Sequence, residues 1–201
     1  MHCNRGKRGM TLNPLKPEGR EIQEKLIATA DIVMANMPPR ALKQLGLDYE
    51  TLNSIKPDII LTTATAFGAI GPYAERVGLD SVAQAMCGNM YLSGDGDHPM
   101  KSYSPWVDYG TASNAAFGTL AALIHRNNTG EGQEVQGALL ATALTVTNSA
   151  LIEQQVLQTN RVATGNRGQM AAPSDTFETT DGRIFVTSAG QLHFERWVDL
   201  M

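Results

Sequence analysis

Asp108 is the acidic residue of this sequence best suited to nucleophilic chemistry. Ser104 and Pro105 fit the N-cap and first position of a helix, so Asp108 is expected one turn inside it. The third helical position, where a capping-box acid belongs, is then Val107. Trp106 would partly desolvate the carboxylate while the helix N-terminus favours its anion, and such a carboxylate can attack an acyl carbonyl without a general base. The competing interpretation is an ordinary first-turn acid, and these residues alone favour it.

Other polar residues have simpler interpretations. Asp80 stands at the start of another predicted helix, where an N-cap is the ordinary role. The loop at Gly168 and Gln169 could offer backbone N–H groups to an oxyanion, although a lone glycine more often marks a turn. His98 and His125 are interpreted as surface residues rather than catalytic bases.

Basic residues form two small clusters. Lys7 and Arg8 belong to the densest one, and Arg40 and Lys43 follow the first predicted strand. The sequence has neither a GxGxxG nor a GxxxxGK[ST] motif, so no nucleotide fingerprint is present. An adenine nucleotide held by basic side chains stays open, but such clusters are usually solvated charged faces.

Composition excludes several classes of function. The net charge of −4 gives no basic footprint for nucleic acid, and 42% hydrophobic with 18% charged residues is ordinary for a globular protein. The two cysteines, Cys3 and Cys87, form no CxxC motif and suggest neither zinc nor a disulfide framework. Reduced thiols and the absence of a secretory signal favour the cytoplasm. The apolar stretch Gly137–Glu153 is interrupted by Thr, Asn and Ser and predicts a buried helix.

The order of elements predicts a doubly wound α/β fold. Strands predicted at Asp31–Ala35, Asp58–Thr63 and Gln133–Gln136 alternate with helices. Ligands of such sheets lie beyond the carboxyl ends of the strands, which places Asn36, Met37 and the loop Thr63–Gly71 at the candidate site. The first predicted helix begins at Pro17, and the last lies near Phe194. The helices predicted between them are Ala41–Leu45, Asp48–Ile55, Asp80–Met90, Pro105–His125 and Ala138–Thr159.

The pattern changes after Gly165. Residues Thr176–Glu178 and Arg183–Thr187 flank an Asp-Gly turn and predict a β-hairpin. We therefore expect a Rossmann-like large domain over residues 1–140, incomplete at its N-terminus, and a linker helix over 141–165. Residues 166–201 would begin a small α+β domain that is incomplete at its C-terminus, which suggests a fragment of a longer protein.

Seven segments occur along the chain in a fixed order: NRGKR, KPEGREI, ADIVMANMPPRALKQLGLDYETL, GPYAERVGLDSVAQAMCG, WVDYGTA, HRNNTGEGQEV and APSDTFETTDGRIFV. This ordered series resembles the class III CoA-transferase family, which includes formyl-CoA:oxalate and carnitine CoA-transferases and α-methylacyl-CoA racemase. The resemblance implies a protein about twice this length, which forms an interlocked homodimer of two threaded rings and binds coenzyme A on the large domain.

The resemblance assigns roles to individual residues. Asp108 matches the catalytic aspartate, Asp80 an acidic residue near the active site, and the loop 166–172, with Gly168 and Gln169, a glycine-rich loop over the aspartyl intermediate. The predicted CoA contacts, which include basic residues of the two clusters, are Lys7, Arg8, Asn36, Met37, Arg40, Lys43 and Leu45.

The implied function is transfer of CoA from an acyl-CoA to a free carboxylic acid through an aspartyl-CoA thioester, without a metal. Three departures bear on it: Gln44 stands where the family often has Arg, Leu79 stands where the racemase branch has His, and the loop has only Gly168 where the formyl-CoA enzyme has several glycines. Because racemisation needs two acid/base groups, Leu79 argues for transfer. The alternatives are a 2-methylacyl-CoA racemase on the same fold and a non-catalytic CoA-binding fragment.

Overall fold

The computed structural model describes residues 2–201, which group into two compact units. The first comprises residues up to Asp80 together with Val107–Thr142, and the second comprises Ser81–Trp106 and Ala143–Met201. The predicted division into domains at residues 140 and 165 stays a prediction. A short 3₁₀ turn occupies His2–Asn4. The helices are α1 (Pro17–Thr29), α2 (Pro39–Leu45), α3 (Tyr49–Ile55), α4 (Asp80–Met86), α5 (Asn89–Leu92), α6 (Trp106–Thr129), α7 (Leu139–Val146), α8 (Asn148–Leu157) and α9 (Gln191–Val198).

A parallel sheet organises the first unit. Its strands β1 (Ile32–Ala35), β2 (Ile60–Thr65) and β3 (Gln133–Ala138) lie in the order β1-β2-β3. β2 pairs with both neighbours in parallel register, and its first four residues are buried. An unbroken run of buried residues is expected for a central parallel strand that is covered on both faces. The parallel sheet with its helices, and the match to a solved structure of the same fold, confirm the predicted α/β class.

One face of the sheet packs on α1 and α3. Ile27 of α1 and Leu52 of α3 form a buried cluster with Ile59 and Leu61. Ile22 of α1 is exposed, although it is apolar. Gln23 takes the buried place and donates a hydrogen bond to the carbonyl of Leu45, 2.9 Å away.

The opposite face of the sheet packs on α6. Thr62 of β2 and Thr119 of α6 are hydrogen bonded through their hydroxyl groups, 2.6 Å apart, and both are buried. A Cβ atom added to Gly118 would lie 2.6 Å from a methyl group of Val135 in β3. The small residues of α6 therefore let the helix approach the strands closely.

Three differences between the predicted and observed element boundaries have a local cause. β2 begins at Ile60 rather than Asp58, because the carboxylate of Asp58 is ion-paired near the strand start and Ile59 closes a turn. The helix predicted from Asp80 to Met90 is interrupted at Gly88, which adopts a left-handed conformation (φ 81°). The helix predicted from Ala138 is likewise two helices, because Ala138 pairs in β3 and Thr147 leaves helical geometry.

The second unit contains the predicted hairpin. Strands β4 (Ser174–Glu178) and β5 (Arg183–Thr187) pair antiparallel, and α9 follows them. Arg161 forms a two-bond ion pair with Glu153, at 2.6 Å and 2.7 Å, which ties the segment after α8 back to that helix. Within residues 2–201 no helix is both long and apolar enough to cross a membrane.

Candidate active site

A cavity at the carboxyl end of β2 contains Asp108. Its volume is about 280 Å³. Asn36 reaches it from the end of β1, Asp108 from the first turn of α6, and Leu79 from the loop before α4. The position beyond the strand ends agrees with the general rule for open α/β sheets. The remaining lining residues are small or aliphatic: Ala64, Thr65, Ala66, Gly78, Thr111, Ala112 and Leu139.

The carboxylate of Asp80 is hydrogen bonded to the first turn of α6. Its Oδ2 accepts from the backbone N–H of Val107 at 2.8 Å and from that of Asp108 at 3.1 Å. Asp80 is only 8% exposed. Asp80 was expected to cap its own helix; it is the first residue of α4, and its carboxylate caps the first turn of α6.

The position of Asp108 within α6 also differs from the prediction. The helix begins at Trp106, so Asp108 is its third residue and Val107 its second. Pro105 precedes the helix, and a proline side chain offers no hydrogen-bond acceptor to the first turn. The cap therefore comes from a distant residue, and local sequence alone does not reveal it.

Asp108 is exposed in this chain, so the prediction of a poorly hydrated carboxylate holds only in part. The neighbouring side chain of Val107 points into the core and is fully buried, while Tyr109 is 55% exposed. Partial desolvation and, second, the negative charge of Asp80 raise the pKa of Asp108 above its usual value. A higher pKa means a more basic carboxylate, which is the direction that favours nucleophilic attack.

A second cavity, of about 430 Å³, lies beside α2 and α3. Met37 and Lys43, two predicted CoA contacts, line it, and Thr65 lines both this cavity and that of Asp108. Lys43 is the one basic side chain in this lining among the described residues. The other charged side chains of the lining, Asp48, Glu50 and Glu134, are acidic. Burial and the negative charges of Glu134 and Glu131 raise the pKa of Tyr49. The full lining is Met37, Pro39, Leu42, Lys43, Asp48, Tyr49, Glu50, Thr63, Thr65, Ala69, Glu134 and Gln136.

The other predicted CoA contacts lie elsewhere in the first unit. Lys7, Arg8 and Arg40 are exposed, and the Lys7 ammonium donates to the side chain of Asn4 at 3.3 Å. The carbonyl of Leu45 accepts a hydrogen bond from Arg20 at 2.7 Å. These four residues are not among those that line either cavity in the part of the chain described.

Gly168 and Gln169 belong to the second unit. The Gly168 N–H donates to the carbonyl of Ser174 at 2.7 Å, so this amide is engaged in a turn. The Gln169 side chain donates to the carbonyl of Val162 at 2.8 Å and accepts from Arg161 at 2.8 Å. The predicted oxyanion role of this loop stays a prediction, and it requires the Gly168 amide to give up its present partner.

Thr111 and Leu139 line the Asp108 cavity but were not singled out from the sequence. Thr111 follows Asp108 by three residues and so lies on the same helix face, which is a signal that the spacing contains. Leu139 begins α7, whose apolar sequence has no charged group to mark a site. Among residues 2–201 the structure has no cluster of three or more His, Cys, Asp or Glu side chains suited to a metal.

The whole chain, residues 1–201, matches the family described as CoA-transferase family III. It is 32% identical over 199 residues to succinate–glutarate CoA-transferase of Agrobacterium fabrum, which covers 98% of this chain and 50% of that protein. It is 33% identical over 186 residues to succinyl-CoA–D-citramalate CoA-transferase of Chloroflexus aurantiacus, at 92% and 46% coverage. The crystal structure of a CaiB/BaiF family protein from Brucella suis superposes with a TM-score of 0.87 at 35% identity, over 98% of this chain and 53% of that chain. The chain spans about half the length of the curated relatives it matches.

Proposed function

Because this chain belongs to CoA-transferase family III, we propose that it supplies the nucleophile and part of the coenzyme A site of an acyl-CoA:carboxylate CoA-transferase. The observation that carries the proposal is the position of Asp108. Its carboxylate lines a cavity at the carboxyl end of the sheet, and that cavity adjoins at Thr65 the one lined by Met37 and Lys43.

Asp108 performs the covalent chemistry. A carboxylate oxygen of Asp108 attacks the thioester carbonyl of the donor, the C–S bond breaks, and a mixed anhydride and CoA thiolate result. The thiolate then attacks the carbonyl carbon of Asp108. The anhydride C–O bond breaks, the donor acid leaves as its carboxylate, and an aspartyl-CoA thioester remains.

The acceptor acid reverses both steps. Its carboxylate attacks the aspartyl thioester, releases the thiolate and forms a second mixed anhydride. The thiolate attacks the acceptor carbonyl, which regenerates the Asp108 carboxylate and releases the new acyl-CoA. No water is consumed and no net proton is exchanged, so neither a metal nor an external base is required.

Coenzyme A is proposed to contact both the cavity beside α2 and α3 and the exposed basic side chains of the first unit. The acidic cavity beside α2 and α3 suits an uncharged part of CoA, because Glu50 and Glu134 would repel its phosphates. The exposed cations Lys7, Arg8 and Arg40 are better suited to those phosphates. Lys43 is exposed and lines this cavity, and either it or Arg40 takes the place of the family Arg at Gln44.

Leu79 favours transfer over the racemase alternative. It lines the Asp108 cavity from the loop before α4, and an aliphatic side chain holds no exchangeable proton. The homodimer implied by the family resemblance is part of the proposal for the full protein. The names of the relatives make succinyl-CoA the first donor to assay.

The test is to trap the thioester. The purified protein is incubated with succinyl-CoA, then treated with hydroxylamine, and peptides containing Asp108 are measured by mass spectrometry. A hydroxamate at Asp108 that depends on succinyl-CoA, and is absent in Asp108→Asn, is expected. Transfer activity without any modification of Asp108 would overturn the mechanism, and CoA binding without turnover would favour a non-catalytic role.

A further inference from the structure

One acceptor atom joins two walls of the Asp108 cavity. Gly78 and Leu79, which line the cavity, are followed directly by Asp80. Oδ2 of Asp80 accepts hydrogen bonds from the amides of Val107 and Asp108 on the facing wall, at 2.8 Å and 3.1 Å. The loop before α4 and the first turn of α6 are thus held together by a carboxylate that is itself buried.

The first turn of α6 depends on this carboxylate for its cap. The first amides of a helix have no intrahelical acceptor, and a buried amide left unpaired is costly. Pro105 precedes α6 and offers no side-chain acceptor, so Asp80 supplies one for the second and third residues of the helix. Asp108 is the third residue of the helix, so the cap acts directly on the backbone of the proposed nucleophile.

We propose that Asp80 is the positioning residue of this site: it fixes the backbone of Asp108 and joins it to the Leu79 wall, and it takes no part in proton transfer. This inference rests on the proposed function for the part that concerns turnover. Asp80 is not among the residues that line the cavity in the described chain, and its Oδ2 already accepts two hydrogen bonds. A general acid or base must reach the reacting atoms, and a buried carboxylate outside the cavity lining is poorly placed to do so.

The same contact places a second negative charge beside the nucleophile. Asp108 is the one ionisable side chain among the described residues that line its cavity, and Asp80 is the charged group that acts on it. Removing the charge of Asp80 while keeping an acceptor oxygen therefore separates two effects. Asp80→Asn should retain much of the cap and lose the charge, whereas Asp80→Ala should lose both.

The experiment combines a measurement that needs no turnover with one that does. In ¹³C-carboxyl-labelled protein, NMR follows the titration of Asp108 and the hydrogen exchange of the Val107 and Asp108 amides. We expect Asp80→Ala to speed exchange of both amides by about tenfold, as loss of one such hydrogen bond implies, and Asp80→Asn to do so less. Both variants should move the titration of Asp108 to lower pH.

Turnover with succinyl-CoA is measured on the same variants. A misplaced nucleophile costs on the order of 10²-fold, so Asp80→Ala should lower kcat by about that factor with little change in KM. Asp80→Asn should lower kcat less, and it should move the acid limb of the kcat profile to lower pH. Ile59→Val, a core substitution in the same unit, is the control for lost stability and should leave the Asp108 titration and the pH profile unchanged.

The outcomes keep the two proposals apart. Unchanged amide exchange and an unmoved Asp108 titration in Asp80→Ala would overturn the positioning role whatever the activity. An effect on kcat matched by Ile59→Val at equal loss of stability would also overturn it. If the NMR changes occur but no variant, nor the parent protein, forms a hydroxamate at Asp108, the positioning contact stands and the transferase proposal fails.

Discussion

Leu79 and Asp108 line the same cavity, one from the loop before α4 and the other from the first turn of α6. Leu79 is 74% exposed, so its side chain projects away from the packed core. The pair provides one ionisable group and one aliphatic group. Exchange of a proton at an α-carbon with inversion needs two ionisable groups, whereas thioester exchange needs one nucleophile.

Leu79→His should introduce proton exchange that the parent protein lacks. In D₂O, with a 2-methylacyl-CoA and no acceptor acid, we expect deuterium at the α-carbon only for this variant, because the imidazole supplies the missing base. Proton NMR of the recovered thioester measures it. Val77→His, an exposed position in the same loop outside the cavity lining, is the matched control. Rapid exchange by the parent protein itself would instead favour the racemase alternative.

Asp108→Asn should raise thermal stability at neutral pH while it abolishes formation of the thioester. Desolvation and Asp80 raise the pKa of Asp108 in the folded state, so ionisation of Asp108 opposes folding. That cost is absent below the unfolded-state pKa of an aspartate and appears as pH rises through the raised folded-state value. The gain in Tm should be small, about 1–2 °C at pH 7, because solvent screens the exposed carboxylate.

A series of melting curves from low to neutral pH checks this sign. The difference in Tm between Asp108→Asn and the parent should shrink to zero as pH falls. Asp97→Asn, at an exposed turn residue outside the cavity lining, is the control for the same change in net charge. A destabilised Asp108→Asn at neutral pH would show that the carboxylate stabilises its helix, as the simpler interpretation of a first-turn acid holds.

The sequence was sufficient to predict the parallel sheet and the helix that contains Asp108, because both depend on local patterns. The buried run Ile60–Thr63 and the glycine-rich face of α6 produce the strand and the close packing directly. The start of α6 was wrong by one residue because Asp80, which sets it, lies far away in the sequence. When the capping residue is distant in sequence, the residues around the helix start contain no signal of the cap.

The candidate CoA contacts likewise divide into those that local sequence predicts and those that depend on tertiary packing. Asn36 and Met37 were predicted from the end of a strand, and the structure places both at cavities there. Leu45 was carried over from the family resemblance, yet its backbone carbonyl is held by Arg20 and Gln23 of α1. Which side of a short helix faces a cavity depends on tertiary packing, and spacing alone does not determine it.

Lys43→Ala should weaken CoA binding without lowering kcat. Lys43 is the basic member of the cavity beside α2 and α3, so its loss removes an attraction for an anionic ligand. A partly exposed ion pair contributes about 1 kcal/mol, which corresponds to roughly a fivefold rise in Kd, and added salt should reduce the difference. Isothermal titration with CoA at two salt concentrations measures both. Lys25→Ala, an exposed lysine paired with Glu21 on α1, should leave the Kd unchanged.

Gly168→Ala tests whether the loop in the second unit contributes to turnover. A Cβ atom at Gly168 would lie 2.6 Å from Oγ of Ser174, so the loop must shift, at a cost of about 1–3 kcal/mol for an overpacked site. We expect lower kcat with an unchanged Kd for CoA, since the substitution disturbs a loop predicted to act on the intermediate and not on the cofactor. Gly182→Ala, in the hairpin turn where an added Cβ would meet no atom within 4 Å, is the control. Equal kcat in Gly168→Ala and Gly182→Ala, with the expected loss of stability in the former, would remove this loop from the reaction and leave the oxyanion to other donors.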